Sequence, residues 1–292
     1  VSSLTTAQVA KLETADFAAL STGAIANLTT AQVKALTTDQ LVALSTTQAE
    51  KLTTAQVSAL TTAQVAKLET ADLAKLSTGH IQALSTAAVA SLTTDQFKNL
   101  STDQVNALTS SQVKALTTDQ LVALSTGQAA SLTTAVVSSL TTDQVAKLET
   151  ADFAALSTGA ISNLTTAQVK ALTTAQLVAL STTQAEKLTT DQVKALTTDQ
   201  VAKLETADLA KLGTGHIQAL STAAVAALTT DQFKNLSTDQ VNALTSSQVK
   251  ALTTDQLVAL STEQASKLTT AMVSSLTTAQ VAKLETEDFA AL

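Results

Sequence analysis

Residues 4–12 read Leu4-Thr5-Thr6-Ala7-Gln8-Val9-Ala10-Lys11-Leu12, and this pattern is rewritten every eight residues along the whole chain. Taking the leucine as position one, 37 leucines run from Leu4 to Leu292 without a gap. Position two is Ser or Thr, except for Glu13, Glu69, Glu149, Glu205 and Glu285, and for Gly213. Position three is Thr, apart from Ser110 and Ser246. Position five is usually Gln, and position six is always apolar, as in Val9, Phe17, Ile25, Val33, Leu41 and Ala49. Positions four, seven and eight carry most of the variation. A fixed short period of this kind is the signature of a repeat architecture and decides the fold before any residue-level reading.

The period of eight excludes one long helix. A helix turns about 100° per residue, so eight residues overshoot two turns by roughly 80°. The apolar stripe would wrap around the helix within a few octads, far beyond the mismatch a supercoil absorbs. A β-solenoid is the alternative fold, since Thr and Val suit strands. Its corners need Gly, Asn, Asp or Pro, and this chain has six Gly and no Pro. Leu, Ala, Gln and Lys favour helix. The reading is therefore an all-α repeat solenoid: one very short helix per octapeptide, with a continuous Leu/Val core. Such helices cannot stand alone. Each must bury its Leu and its position-six residue against neighbouring octads. A closed path of three or four octads per turn would place every Leu inside.

Two caps fit the octad. The nearly invariant Thr at position three can accept a backbone N–H of the new turn. The tolerance of Glu at position two favours this assignment. Alternatively the Ser or Thr at position two caps and Gln at position five reaches back, a capping box such as Thr5-Thr6-Ala7-Gln8. Asp at position four, as in Asp39, Asp95 and Asp103, suits the positive end of a helix under either assignment.

A longer period lies over the short one. Residues 5–140 align with 141–276 without gaps, with 12 differences in 136 positions. Residues 277–292 begin a third copy, and the expected organisation is one continuous solenoid over 1–292. Most differences fall at variable octad positions; Ser77→Gly213 and Val136→Met272 touch the common pattern. The chain begins mid-octad at Val1 and stops on Leu292, as a segment or a trimmed chain would.

Composition narrows the function. Net charge is −7, and every cation is a Lys, with no Arg, Trp or Tyr. Nucleic-acid binding needs clustered cations and, for single strands, aromatic platforms, so it is not expected. Thr or Ser interrupts every octad, so no apolar run is long enough for a transmembrane helix. Absence of Cys excludes disulfides and thiolate metal sites. No nucleophile–base arrangement or Gly-rich phosphate loop is visible, and an enzyme is not expected.

Few residues break the monotony. His80 and His216 stand at position five of the same Thr-Gly-His-Ile octad, 136 residues apart. They read as surface variants of the Gln position, because a metal site needs several converging ligands. The segment Lys-Leu-Glu-Thr-x-Asp recurs at 11–16, 67–72, 147–152 and 203–208, and Glu285, Glu287 and Asp288 continue the theme. Calcium takes six to eight oxygens, so these acids read as charges at an exposed helix start. Asn27, Asn99, Asn163 and Asn235 head formal glycosylation sequons that the grammar itself generates. Stacked octads would also array Thr in columns, which could order water and suit ice binding if the hydroxyls were free. No catalytic, metal or cofactor residue is expected.

The string Leu-Thr-Thr-Ala-Gln-Val-x-Ala-Leu resembles octad tracts of long repetitive bacterial surface or secreted proteins of adhesin-like or haemolysin type. That resemblance implies an extracellular or cell-surface location and a role as spacer, stalk or fibre, with partners being further copies of itself or cell-surface components. No glycine-rich calcium nonapeptide is present, so calcium dependence does not carry over. An interaction module binding a protein or glycan is the alternative, weakened because interfaces draw on Trp, Tyr and Arg.

Overall fold

The computed structural model describes Val1 and residues 3–284. It contains 35 helices, numbered in chain order from α1 (Thr6–Ala10) to α35 (Thr278–Val281), and no strand among the described residues. Each helix spans four to six residues, one per octad. The chain is an all-α repeat solenoid, and the β-solenoid alternative falls.

The helix starts one residue before the favoured reading. Position two, not position three, is the N-cap: Thr37 is extended (φ −74°, ψ 159°), and its hydroxyl accepts the Gln40 backbone N–H at 3.2 Å. In return the Gln40 Oε1 accepts the Thr37 backbone N–H at 3.0 Å, completing a capping box. The physical reason lies in the spacing. A cap at position two puts the glutamine at N3, the one position from which it can reach back to the cap. A cap at position three would leave that amide at N2, unable to do so. Glu13, Glu69, Glu149 and Glu205 occupy the cap without making a side-chain cap bond, so tolerance of Glu there marks a weaker cap and not a different one.

The helix ends at the next leucine. Leu36 leaves the helical region (φ −59°, ψ 140°), and its N–H closes a last tight turn on the Val33 carbonyl at 3.1 Å. Positions one and six then point inward. Leu36, Leu60, Leu84 and Leu116 are buried, as are Val33, Val57, Val113 and the phenylalanines Phe17, Phe97, Phe153 and Phe233. With most octads hiding these two groups, the core runs continuously along each stack.

The chain divides into two compact units, Val1–Leu148 and Glu149–Leu292, and the division falls one octad after the end of the first 136-residue copy. In each unit helices pack on those three places further on, so a turn holds three octads. In the first unit α1 packs on α4 (Thr30–Ala35), which packs on α7 (Thr54–Ala59), and α6 (Thr46–Glu50) packs on α9 (Thr70–Lys75). In the second, α19 (Thr150–Ala155) packs on α22 (Thr174–Val178), which packs on α25 (Thr198–Lys203).

Candidate functional site

The position-five side chain is the busiest polar group in the molecule. Besides closing the capping box, the Gln40 amide nitrogen donates to the carbonyls of Val9 and Leu12, both at 2.9 Å, in the turn beneath. Gln104 repeats the pattern on Leu73 and Leu76, and Gln240 on Leu209 and Leu212. The partners always lie 28 residues back and 30 or 31 residues back. The leucine carbonyl lies past the end of a short helix and has no helical partner, while the position-six carbonyl takes the amide as a second donor beside the N–H of the next leucine. One glutamine therefore uses its acceptor on its own helix start and its two amide hydrogens on the turn below, which leaves no amide hydrogen free. It is buried throughout the interior: Gln40, Gln120 and Gln256 are each only 1% exposed. The position reads as polar surface from sequence, but it is an internal ladder.

Some octads lack glutamine, and the structure handles them differently. Val136 and Met272 cannot close a capping box. There Asn106, at position seven of a helix in the turn below, takes over the task. Its Oδ1 accepts the Thr133 backbone N–H at 2.9 Å, and its Nδ2 donates to the Ser131 carbonyl at 2.8 Å. Asn242 does the same for Thr269 and Lys267. Nothing in the octad grammar announces these asparagines; the available signal is that each sits four octads before a glutamine-free octad.

His80 is buried, at 8% exposure, and not a surface variant. Its Nδ1 accepts the Ser77 backbone N–H at 3.1 Å, and the ring also hydrogen-bonds the Leu52 carbonyl, 28 residues back. The imidazole thus imitates the glutamine, acceptor on one side and donor on the other. Burial holds its pKa below the ordinary histidine value, with the Leu52 carbonyl pulling weakly the other way. His216 makes the bond to its own cap, Gly213, at 3.1 Å, but is half-buried.

The acidic segments are likewise not all exposed helix starts. Glu13 and Asp16 are both exposed, but Asp72 and Asp208 are each 1% exposed while Glu69 and Glu205 stay at the surface. The cause is the register: position five faces the turn below whatever residue occupies it. A carboxylate has no hydrogen to give to carbonyls. Asp72 Oδ2 and both carboxyl oxygens of Asp208 have no hydrogen-bond partner. Burial, helped by the charges of Glu69 and Glu205, raises both carboxyls to about 6. Asp152 belongs to the same set and is buried. Glu285, Glu287 and Asp288 lie outside the described residues.

Among the described residues no three His, Asp or Glu side chains come together as a metal-holding group. The sequon asparagines are exposed helix ends whose amides are engaged: Asn27 donates to Gly23 at 2.7 Å, Asn99 to Asp95, Asn163 to Gly159 and Asn235 to Asp231. The position-three threonines Thr30, Thr54 and Thr102 are exposed and leave capping to their neighbours. Surface grooves are lined by such residues, for example Thr30, Lys34, Ser58 and Thr62 in the first unit. No described helix is long and apolar enough to cross a membrane.

No curated protein matches the chain. A family profile, the ALTTAQ repeat, matches it eight times, at residues 9–46, 39–68, 65–102, 96–126, 145–182, 174–204, 201–238 and 234–270. The alanine, leucine, paired threonines and glutamine of that name are the residues that here end one helix, turn inward, cap the next and tie it to the turn below. The protein belongs to the ALTTAQ repeat family.

Proposed function

We propose that the protein is a non-catalytic structural scaffold, a spacer, stalk or filament element displayed outside a bacterial cell. The observation that carries this reading is how the long repeat falls on the turn. The 136-residue copy holds 17 octads, which is not a multiple of three. Within the first unit, α1 opens the first copy and stacks with α4 and α7. Helix α18 (Thr142–Lys147) opens the second copy, yet it stacks with α15 (Thr118–Val122) and α12 (Thr94–Lys98), which belong to the column of α6 and α9. Within that unit the second copy of the decoration therefore opens in a different column of helices from the first. A protein that used a repeated one-sided surface to grip an extended partner would keep its copies in phase. A spacer needs only that the inside repeat. The scarcity of aromatic and Arg anchors points the same way.

The test is deletion in register. A chain lacking residues 29–100 removes nine octads, three whole turns, and should keep its helicity per residue and its role on the cell surface, at reduced length. Loss of that role with the fold intact would overturn the spacer reading and favour an interaction module with a site in the deleted turns.

A further inference from the structure

Three consecutive octads, one whole turn, lack glutamine in each unit. In the first unit position five is Asp72, His80 and Ala88, on α9, α10 (Thr78–Ala83) and α11 (Thr86–Ser91). In the second it is Asp208, His216 and Ala224, on α26 (Thr206–Lys211), α27 (Thr214–Ala219) and α28 (Thr222–Ala227). By the 28-residue register of the ladder, the second trio faces the carbonyls of Leu180, Leu188 and Leu196. No side chain of that turn donates to them, and no asparagine from below replaces the glutamine as Asn242 does for Met272. The first trio keeps two substitutes, the His80–Leu52 bond and the Ser91 hydroxyl, whose one hydrogen is shared between its own helix at the Ala88 carbonyl (2.8 Å) and the Thr62 carbonyl of the turn below (3.2 Å). The turn above is fully tied in both units, by Gln96, Gln104 and Gln112 and by Gln232, Gln240 and Gln248.

We propose that these two glutamine-free turns are parting planes, where each stack opens first, and that the buried carboxyl of Asp72 or Asp208 acts as a latch that holds the plane shut when protonated. Apolar packing remains at the plane, while the ladder that elsewhere joins turn to turn is missing. Into this gap the chain places an acid with unpartnered oxygens. Ionised, it is a buried charge facing carbonyl oxygens; protonated, it is neutral and supplies the hydrogen its neighbours in the ladder supply.

The surrounding charges leave the acid uncompensated. Below Asp72, α6 carries Glu50, which pairs with the adjacent Lys51 at the surface, and above it α12 carries the exposed Asp95 and Lys98. Its own helix adds Glu69 and Lys75, and the next holds His80. Around Asp208 the corresponding groups are Glu186 paired with Lys187, Asp231, Lys234, Glu205, Lys211 and His216. The direction follows from linkage. Carboxyls raised from 3.8 to about 6 by folding contribute stability that is full below 3.8 and is lost as pH rises through about 6. His80, shifted down by burial, opposes this in the first unit as pH falls below 6.5. The second plane is therefore the cleaner acid latch.

Hydrogen exchange on the full chain tests this, read as protection factors for residues 205–228 against 229–252 at about pH 7.5 and about pH 5. At the higher pH the glutamine-free turn should be protected at least about tenfold less, and its protection should rise about tenfold at the lower pH. Asp208→Gln, which restores the consensus residue, should raise protection and abolish the pH response of that turn. Equal protection of the two turns at about pH 7.5 overturns the parting plane. A pH response that survives D208Q, or that His216→Gln removes instead, overturns the latch.

Discussion

The turn Thr70–Ser91 and its copy Thr206–Ala227 have the same register and nearly the same residues, yet they are held differently. Two differences separate them, Ser77→Gly213 and Ser91→Ala227, and each deletes one hydroxyl. In the first copy the Ser77 hydroxyl accepts the His80 backbone N–H at 3.4 Å, and His80 sits buried on Leu52. In the second, Gly213 offers no cap oxygen and His216 is half-buried. Loss of the Ser91 hydroxyl removes the bond to the turn beneath. In the first copy one oxygen of the acid is both fully buried and unpartnered, and in the second both are. In a stack, a small change at the surface octad positions alters how the buried position-five residue meets the turn below, because both belong to the same short helix.

The largest loss should follow from substitutions in the leucine core that both copies share. Leu84→Asp and Leu220→Asp put an unpaired charge in the core, and each should cost more than about 4 kcal/mol. Helicity measured by circular dichroism should fall well beyond the altered octad; a loss confined to one octad would contradict a cooperative stack.

A middle-sized effect separates tethered turns from untethered ones. Gln240→Ala strips a capping-box acceptor and leaves the Leu209 and Leu212 carbonyls without their side-chain donor, at a cost of about 2–3 kcal/mol. Ala224→Gln, at a position where the ladder is absent, should stabilise instead. Urea unfolding of both variants checks the pair, and equal and small shifts would show that the ladder carries little of the stability.

The finest adjustment is to exchange the two hydroxyls. Ala227→Ser should restore the cross-turn bond for about 1 kcal/mol. Gly213→Ser should add only a few tenths, because Gly is itself a tolerable N-cap. Thermal midpoints of the single and double variants should approach those of chains carrying the first copy's residues. If Ser77→Gly and Ser91→Ala in the first copy shift nothing, the difference between the copies does not lie in these hydroxyls.

Much of this was legible in the octad. Leu at position one and an apolar residue at position six announced the core, and the misfit between eight residues and the helical turn announced one short helix per octad. The capping box was legible too, as the second of two assignments. It lost to position three because Glu at position two argued against a cap there, whereas the structure simply leaves those helices without a side-chain cap. Position five was misread for a related reason. Glutamine, histidine and aspartate look like surface residues when only their own helix is considered, and their burial depends on carbonyls 28 residues away. Asn106 and Asn242 were invisible for the same cause.

Local sequence is enough to specify which apolar residues turn inward, that the elements are helices, and where each begins and ends within a residue. Those are local matters, set by the period, by capping chemistry and by the Leu that closes each helix. Packing across the stack settles that three octads make a turn, that α18 opens the second copy in another column than α1, and which position-five residues are tied to the turn below. Closure depends on how one turn sits on the next, and that fit is settled by packing and by hydrogen bonds between residues far apart in the chain, which no eight-residue pattern can express.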